Sequence, residues 1–288
     1  MPFAIAVAVV LGCTPSFLAL QTPANPPSPP ARAGAALVDQ LMVTWYGNPN
    51  SNRMGILGEL KGAALADGLR AQAAAYQKVT TKKVVPAYHV VAVVAQATAG
   101  RDGKYRRRET TAILRALLDA ARANNFKLIV DIQTGWSNVA DEVEALRPFL
   151  IEPDVHLALD PEFAMSGGIV PGKKIGSMPA SEVNAGIDFL ERIIKELNLP
   201  PKVLIVHQFT WNMLPDKAAI KKSSVVDVVL DMDGFGGRPL KLSTYRSVLK
   251  QGALPFTGFK LFYKQDTGLM TPAQVMALTP QPVVVIYQ

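Results

Sequence analysis

From residue 36 onward the chain alternates short apolar runs with amphipathic stretches. Eight runs stand out, at 41–46, 84–95, 126–132, 155–159, 202–209, 225–232, 256–263 and 282–287. Most are rich in Val, Ile and Leu and nearly continuous in apolar character, the pattern of strands buried on both faces. Helical periods fall between them. The interval 110–124 gathers Ile113, Leu114, Leu117, Leu118 and Ala121 on one face, and 180–197 does the same with Val183, Ile187, Leu190, Ile193 and Ile194. Ser181 and Asn184 near the start of the second helix and Asn198 at its end read as caps. Weaker helical stretches are predicted over 58–76, 139–150, 216–222, 243–250 and 272–278.

Repeated β–α alternation means a parallel sheet, and eight units close into a ring. The pattern therefore predicts an α/β fold, a single-domain (β/α)8 TIM barrel over 36–288. An open doubly wound sheet would bring a glycine-rich phosphate turn after its first strand. After Tyr46 the chain instead reads GNPNSNRMGILGEL, which fits no such turn.

In a barrel of this kind chemistry gathers at the C-terminal strand ends. The third strand ends Asp131-Ile132-Gln133, the fourth Asp160-Pro161-Glu162, the fifth His207-Gln208 and the sixth Asp231-Met232-Asp233. Lys260 lies in the seventh strand, and Tyr46 closes the first. Residues two apart share a strand face, so Asp131 with Gln133, Asp160 with Glu162, and Asp231 with Asp233 form three same-face pairs. Turning them outward would drive carboxylates into the helix–sheet core, where unpaired charge is costly. The lumen near the mouth is the expected place, with Lys260 and His207 as counter-charges. His89 and His156 fall earlier in their strands and read as structural. Trp45, Trp136 and Trp211 lie at or just beyond strand ends, where flat rings beside acids suit sugar faces. The loop 164–178 holds four glycines and reads as a binding loop, with Lys173 and Lys174 available to an anionic ligand.

Composition narrows the function classes. Apolar residues make up 49% of the chain and charged residues 18%, which suits a well-buried α/β domain. The net charge of +7 is spread thinly; its dense runs are Lys82-Lys83, Arg106-Arg107-Arg108 and Lys221-Lys222. No basic stripe interleaves with aromatics, so nucleic acid is not an expected partner.

The first twelve residues, MPFAIAVAVVLG, form an apolar run about the length of a signal-peptide core and too short to span a bilayer. Gly12-Cys13 follows, and Cys13 is the only cysteine of the chain. This segment resembles the bacterial lipobox. The resemblance implies lipidation at Cys13, a signal segment over 1–13, and a membrane-anchored or secreted protein outside the cytoplasm. Residues 14–35 read as a linker, in which 22–35 carries five prolines and favours an extended spacer. A lone cysteine excludes an intrachain disulfide.

Several carboxylates in one mouth push their pKa values apart, which is what glycoside hydrolysis needs of its acid and its base. Glu162, after the fourth strand, is the candidate acid. At this position the chain resembles barrel glycosidases, many of which carry an acid/base glutamate there. Those families place a nucleophilic glutamate at the seventh strand, where this chain has Lys260, so an inverting arrangement fits better. Asp233 or Asp131 is then the base, and Asp160 the fourth candidate catalytic acid. Tyr46, Gln133, Trp136, His207, Gln208, Trp211, Asp231 and Lys260 are the candidate substrate-binding residues. The expected partner is a glycan or envelope polymer, with no cofactor. Two other readings stay open. In one, Asp131, Asp160, Glu162, His207 and Asp233 hold a divalent cation in a phosphodiesterase-like hydrolase. In the other, the same cleft belongs to a glycan-binding lipoprotein without turnover.

Overall fold

A computed structural model describes residues 36–250, 252 and 254–288. The expected signal segment, the linker and Cys13 lie outside the described residues. The first strand, β1 (Gln40–Gly47), is followed by two helices, α1 (Ile56–Glu59) and α2 (Gly62–Gln77). Then come β2 (Lys83–Ala95), the short β3 (Arg106–Arg108), α3 (Thr111–Ala123) and β4 (Lys127–Ile132). Helices α4 (Val139–Ala145) and α5 (Arg147–Leu150) lead to β5 (Val155–Leu159), and α6 (Ala180–Leu197) to β6 (Lys202–Gln208). The chain ends with β7 (Val226–Met232), α7 (Arg238–Leu249), β8 (Phe256–Leu261), α8 (Pro272–Met276) and β9 (Val284–Tyr287).

The strands run β1-β9-β8-β7-β6-β5-β4-β2, and β1 pairs back onto β2. Every pairing in that ring is parallel. The result is the closed eight-stranded (β/α)8 barrel, with all eight apolar runs as its staves. Alternation splits their side chains between two cores. Leu41, Val43, Trp45, Tyr88 and Val90 face the helices, while Met42, Tyr46, Ala87, Val91, Ile129 and Ala158 fill the lumen.

Several expectations about the connections change. The helix expected over 58–76 breaks at Leu60 and Lys61, both in extended conformation. The helix over 139–150 breaks at Leu146, because Pro148 has no N–H to continue the ladder and instead opens α5. No α-helix forms over 216–222. A 3-10 turn, Lys217–Ala219, stands there, and the Lys217 ammonium is buried on Gln208 Oε1 and the Val248 carbonyl. Asn198 does end α6, in the left-handed conformation at φ 51°. The N-terminus of α6 is satisfied from elsewhere, since Asp216 Oδ1 accepts from the Ala180 amide at 2.7 Å.

The strand β3 was not legible in the sequence. It pairs antiparallel with the end of β2 and adds a ninth strand at the mouth only. Its arginines are held by acids. Buried Glu142 accepts from Arg106 Nε at 2.8 Å and Arg108 Nε at 2.7 Å, and buried Glu109 from Arg107 Nη2 at 2.7 Å. Next to this hairpin Gly135 turns at φ 58°, where a side chain would stand 2.5 Å from the Tyr105 carbonyl.

Candidate active site

The strand ends open into a cavity of about 730 Å³. Tyr46, Gln133, Asp160, Glu162, Asp233 and Lys260 all line it. Asp160 is fixed on both oxygens. Its Oδ1 accepts from the Glu162 amide at 3.1 Å, capping a 3-10 turn that Pro161 opens, and its Oδ2 accepts from Gln133 Nε2 at 3.1 Å. Gln133 is itself oriented, because its Oε1 accepts from the Ala95 amide at 3.1 Å. The turn leaves the half-buried Glu162 carboxylate facing the cavity, with no hydrogen bond to it among the described residues. Lys260 Nζ sits 3.0 and 3.1 Å from the two oxygens of Asp233 and 3.8 Å from the centre of the Tyr46 ring.

A second polar layer lies beneath this floor, fully buried, and meets the cavity lining where His207 Nδ1 stands 3.6 Å from Asp233 Oδ2. His207 Nδ1 is 2.9 Å from Asp231 Oδ2, and its Nε2 is 3.1 Å from Asp131 Oδ2. His89 Nε2 stands 3.3 Å from the same Asp131 oxygen without hydrogen-bond alignment, and its Nδ1 has no partner. The two imidazoles stack at 5.6 Å. The Tyr46 ring meets both edge-on, at 4.9 Å from His89 and 6.0 Å from His207, and separates them from the cavity. The strand β8 makes room here with Gly258, whose register partner is Asp231.

Proton affinities divide between the layers. Burial, reinforced by Asp131, Asp233 and Glu162, pushes the Asp160 carboxyl up to about 8. Burial and then the charge of Asp233 raise Glu162. Burial raises Asp233 as well, against the pull of Lys260 and His207. For Lys260 burial works against the charge, but Asp233, Asp160 and Asp231 outweigh it and keep the ammonium. Below the floor, burial opposes charge on Asp131 and His207, yet each stabilises the other's ion, so Asp131 is held low and His207 high. His89 is driven down to about 4 by burial.

The sequence-predicted residues therefore separate. Asp131, expected in the mouth as a base, lies in the deeper layer with His207 and Asp231, because parity assigns a face but not a depth. Gln208 is engaged outside the cavity, accepting from Lys217 Nζ at 3.0 Å and donating to the Thr210 carbonyl at 3.0 Å. Trp45 packs on Gly68 of α2 in the helix layer. Trp136 donates to the Ile169 carbonyl at 2.7 Å and packs against Tyr105 with tilted rings 4.2 Å apart, so it anchors the 164–178 loop rather than lining the cavity. Trp211 is 59% exposed and off the lining. The aromatic wall is made instead by Phe163, Phe209, Phe235 and Phe262, with Leu240 and Met54. His89 is the site residue that sequence reasoning set aside. Its signal was parity: Tyr46 is its register partner on β1.

Among the described residues two groupings have metal-ligand character, His89–Asp131–His207 and His207–Asp231–Asp233. The second includes Asp233, which already faces a lysine ammonium. Comparison with known protein families and with curated protein sequences finds no match to this chain.

Proposed function

We propose that this protein is a hydrolase that cleaves a glycosidic bond by carboxylate acid/base chemistry. The observation that carries this reading is Glu162, a half-buried carboxyl of raised proton affinity with no hydrogen-bond partner among the described residues, facing a cavity that also holds Asp233. In this reading Glu162 protonates the leaving oxygen. Asp233, oriented by both contacts to Lys260, takes a proton from the attacking water as the sugar–oxygen bond breaks. Asp160 keeps its proton at neutral pH and, with Gln133, fixes the turn that aims Glu162. The Phe235 and Phe262 faces suit the C–H face of a sugar ring. The lipobox resemblance at Cys13 supports an envelope or extracellular glycan as substrate.

The test is turnover of envelope oligosaccharides and of aryl glycosides with good and poor leaving groups. Glu162→Gln should lower kcat by about 10²–10⁴-fold on a poor leaving group. It should cost far less on a dinitrophenyl leaving group, which needs no proton. Asp233→Asn should lower both, and the first-formed sugar should carry the inverted anomer by NMR. Because Glu162 acts in its protonated form, activity should fall on the alkaline side, and that limb should vanish in Glu162→Gln. Glycan binding without turnover, unaffected by Glu162→Gln, would sink the hydrolase and leave a binding protein.

A further inference from the structure

We infer that the lumen beneath the cavity floor is a binding site for one divalent transition-metal ion of the zinc class, held by His89 Nε2, Asp131 Oδ2 and His207 Nε2. The spacing is that of a coordination shell. The two imidazole nitrogens stand 3.3 and 3.1 Å from one carboxylate oxygen, and the three ligand atoms lie within 4.8 Å of one another. Ligands bound at about 2.0–2.2 Å around a tetrahedral ion stand about 3.3–3.6 Å apart.

The independent observation is His89. It is fully buried, and neither ring nitrogen makes a hydrogen bond. Buried polar atoms without partners are rare and costly. A doubly protonated His207, donating Nε2–H to Asp131 and Nδ1–H to Asp231, accounts for His207 but leaves His89 unsatisfied. An ion at the meeting point of the three side chains gives the His89 Nε2 lone pair a partner. Asp131 Oδ1, also unpartnered, is the next ligand available.

The outer contact of His207 agrees. His207 Nδ1 faces Asp231 Oδ2 at 2.9 Å, the carboxylate–imidazole pairing that fixes a metal-bound histidine with its Nε2 toward the ion. The His207 Nε2 proton leaves to solvent as the ion enters. Two imidazoles and one carboxylate suit zinc, cobalt or iron(II) and not magnesium or calcium, which take oxygen shells. Tyr46 covers both rings on the cavity side, so the ion supports the floor and does not meet substrate. The inference does not rest on the proposed reaction.

The chain contains three histidines, which makes the test clean. The full chain is stripped with chelator, then titrated with zinc and with cobalt(II). A single ion should bind per chain. Cobalt should give visible bands with imidazole character, and zinc should raise Tm by several degrees. His89→Phe, which keeps a ring and removes both nitrogens, should abolish uptake, the bands and the Tm shift. Its metal-free Tm should stay near that of the metal-free parent. His89→Gln gives the same readout should the larger ring disturb folding. His156→Phe, at the other end of the barrel, should keep the ion. Absence of stoichiometric uptake by the parent chain, or uptake retained in both His89 variants, would overturn the inference.

Discussion

Replacing Gly258 by alanine tests whether the buried charge layer is as tightly fitted as its distances imply. A Cβ at this position would stand 2.7 Å from Asp231 Oδ1, 3.1 Å from its Cβ and 3.2 Å from its Cα. Real Cβ atoms do not approach so closely, and the two residues are register partners on β7 and β8, so the backbone cannot part without breaking the ring. The Asp231 carboxylate must swing away from His207 Nδ1. Overpacking costs about 1–3 kcal/mol, and a charge-assisted hydrogen bond about 1.5–3 kcal/mol. Replacing a strand glycine returns about 0.5–1 kcal/mol of chain entropy. The net expectation is a loss of about 2–5 kcal/mol. Gly186→Ala is the internal control. That glycine lies inside α6, its new methyl would meet Val139, Leu157 and Leu159 at 3.5–3.6 Å, and the change should stabilise by up to about 1 kcal/mol. Equilibrium unfolding in urea measures both. The double variant Gly258→Ala/Asp231→Ala should be less destabilised than the two single changes added together, because the closest clash atom, Asp231 Oδ1, is gone and the bond to His207 is lost only once. The reasoning fails if Gly258→Ala matches the parent chain, or if the double variant is strictly additive.

Other expectations follow from the same layers. Lys260→Met leaves Asp233 buried without its cation and should cost about 3–5 kcal/mol in urea unfolding, with much of that recovered by adding Asp233→Asn. Asp160 binds its proton more tightly folded, at about 8, than unfolded, at about 3.9. Its stabilising contribution is therefore full below pH of about 4 and is lost as pH rises through about 8. Asp160→Asn should flatten the stability–pH curve across that window, and an unchanged curve would remove Asp160 as the cause. Glu142→Ala frees Arg108 and Ser137 and leaves Arg106 on Asp102 alone, and should increase protease cleavage within 96–108 before any change at β6 or β7.

The ring of strands was legible because strands covered on both sides must be continuously apolar, and eight such runs leave few other closures. The mouth was legible in part. Parity placed Asp160, Glu162, Asp233 and Gln133 on the lumen, with Lys260 as a counter-charge, and all five line the cavity, Glu162 from a 3-10 turn beyond its strand. Depth was not legible, because a closed barrel staggers its strands, and a residue's count from its strand end does not give its height. Asp131 and His207 therefore sit lower than expected, and His89 meets them from two residues before Val91, the β2 partner of Asp131. The strand β3 left no trace because three arginines have no apolar rhythm; its pairing comes from backbone contacts to β2 and from distant Glu142. The tryptophans drew attention by size, yet Trp45 is needed by the helix layer and Trp136 by a loop, and the smaller Phe side chains make the wall.

The ninth strand gives the mouth two unlike jaws. On the β2–β4 side the β3 hairpin is tied down by Glu142 and Glu109, and the 164–178 loop is stitched to it through Trp136 and Gly135. Across the ring, the β7–β8 side offers Phe235 and Leu240, both largely exposed, with Phe235 edge-on to Phe262 and the neighbouring Gly236 amide held by Asp266. One jaw is polar, the other apolar. The rim is therefore chemically lopsided: a ligand seated in the mouth would find salt-bridged charge beyond one side and exposed apolar faces on the other.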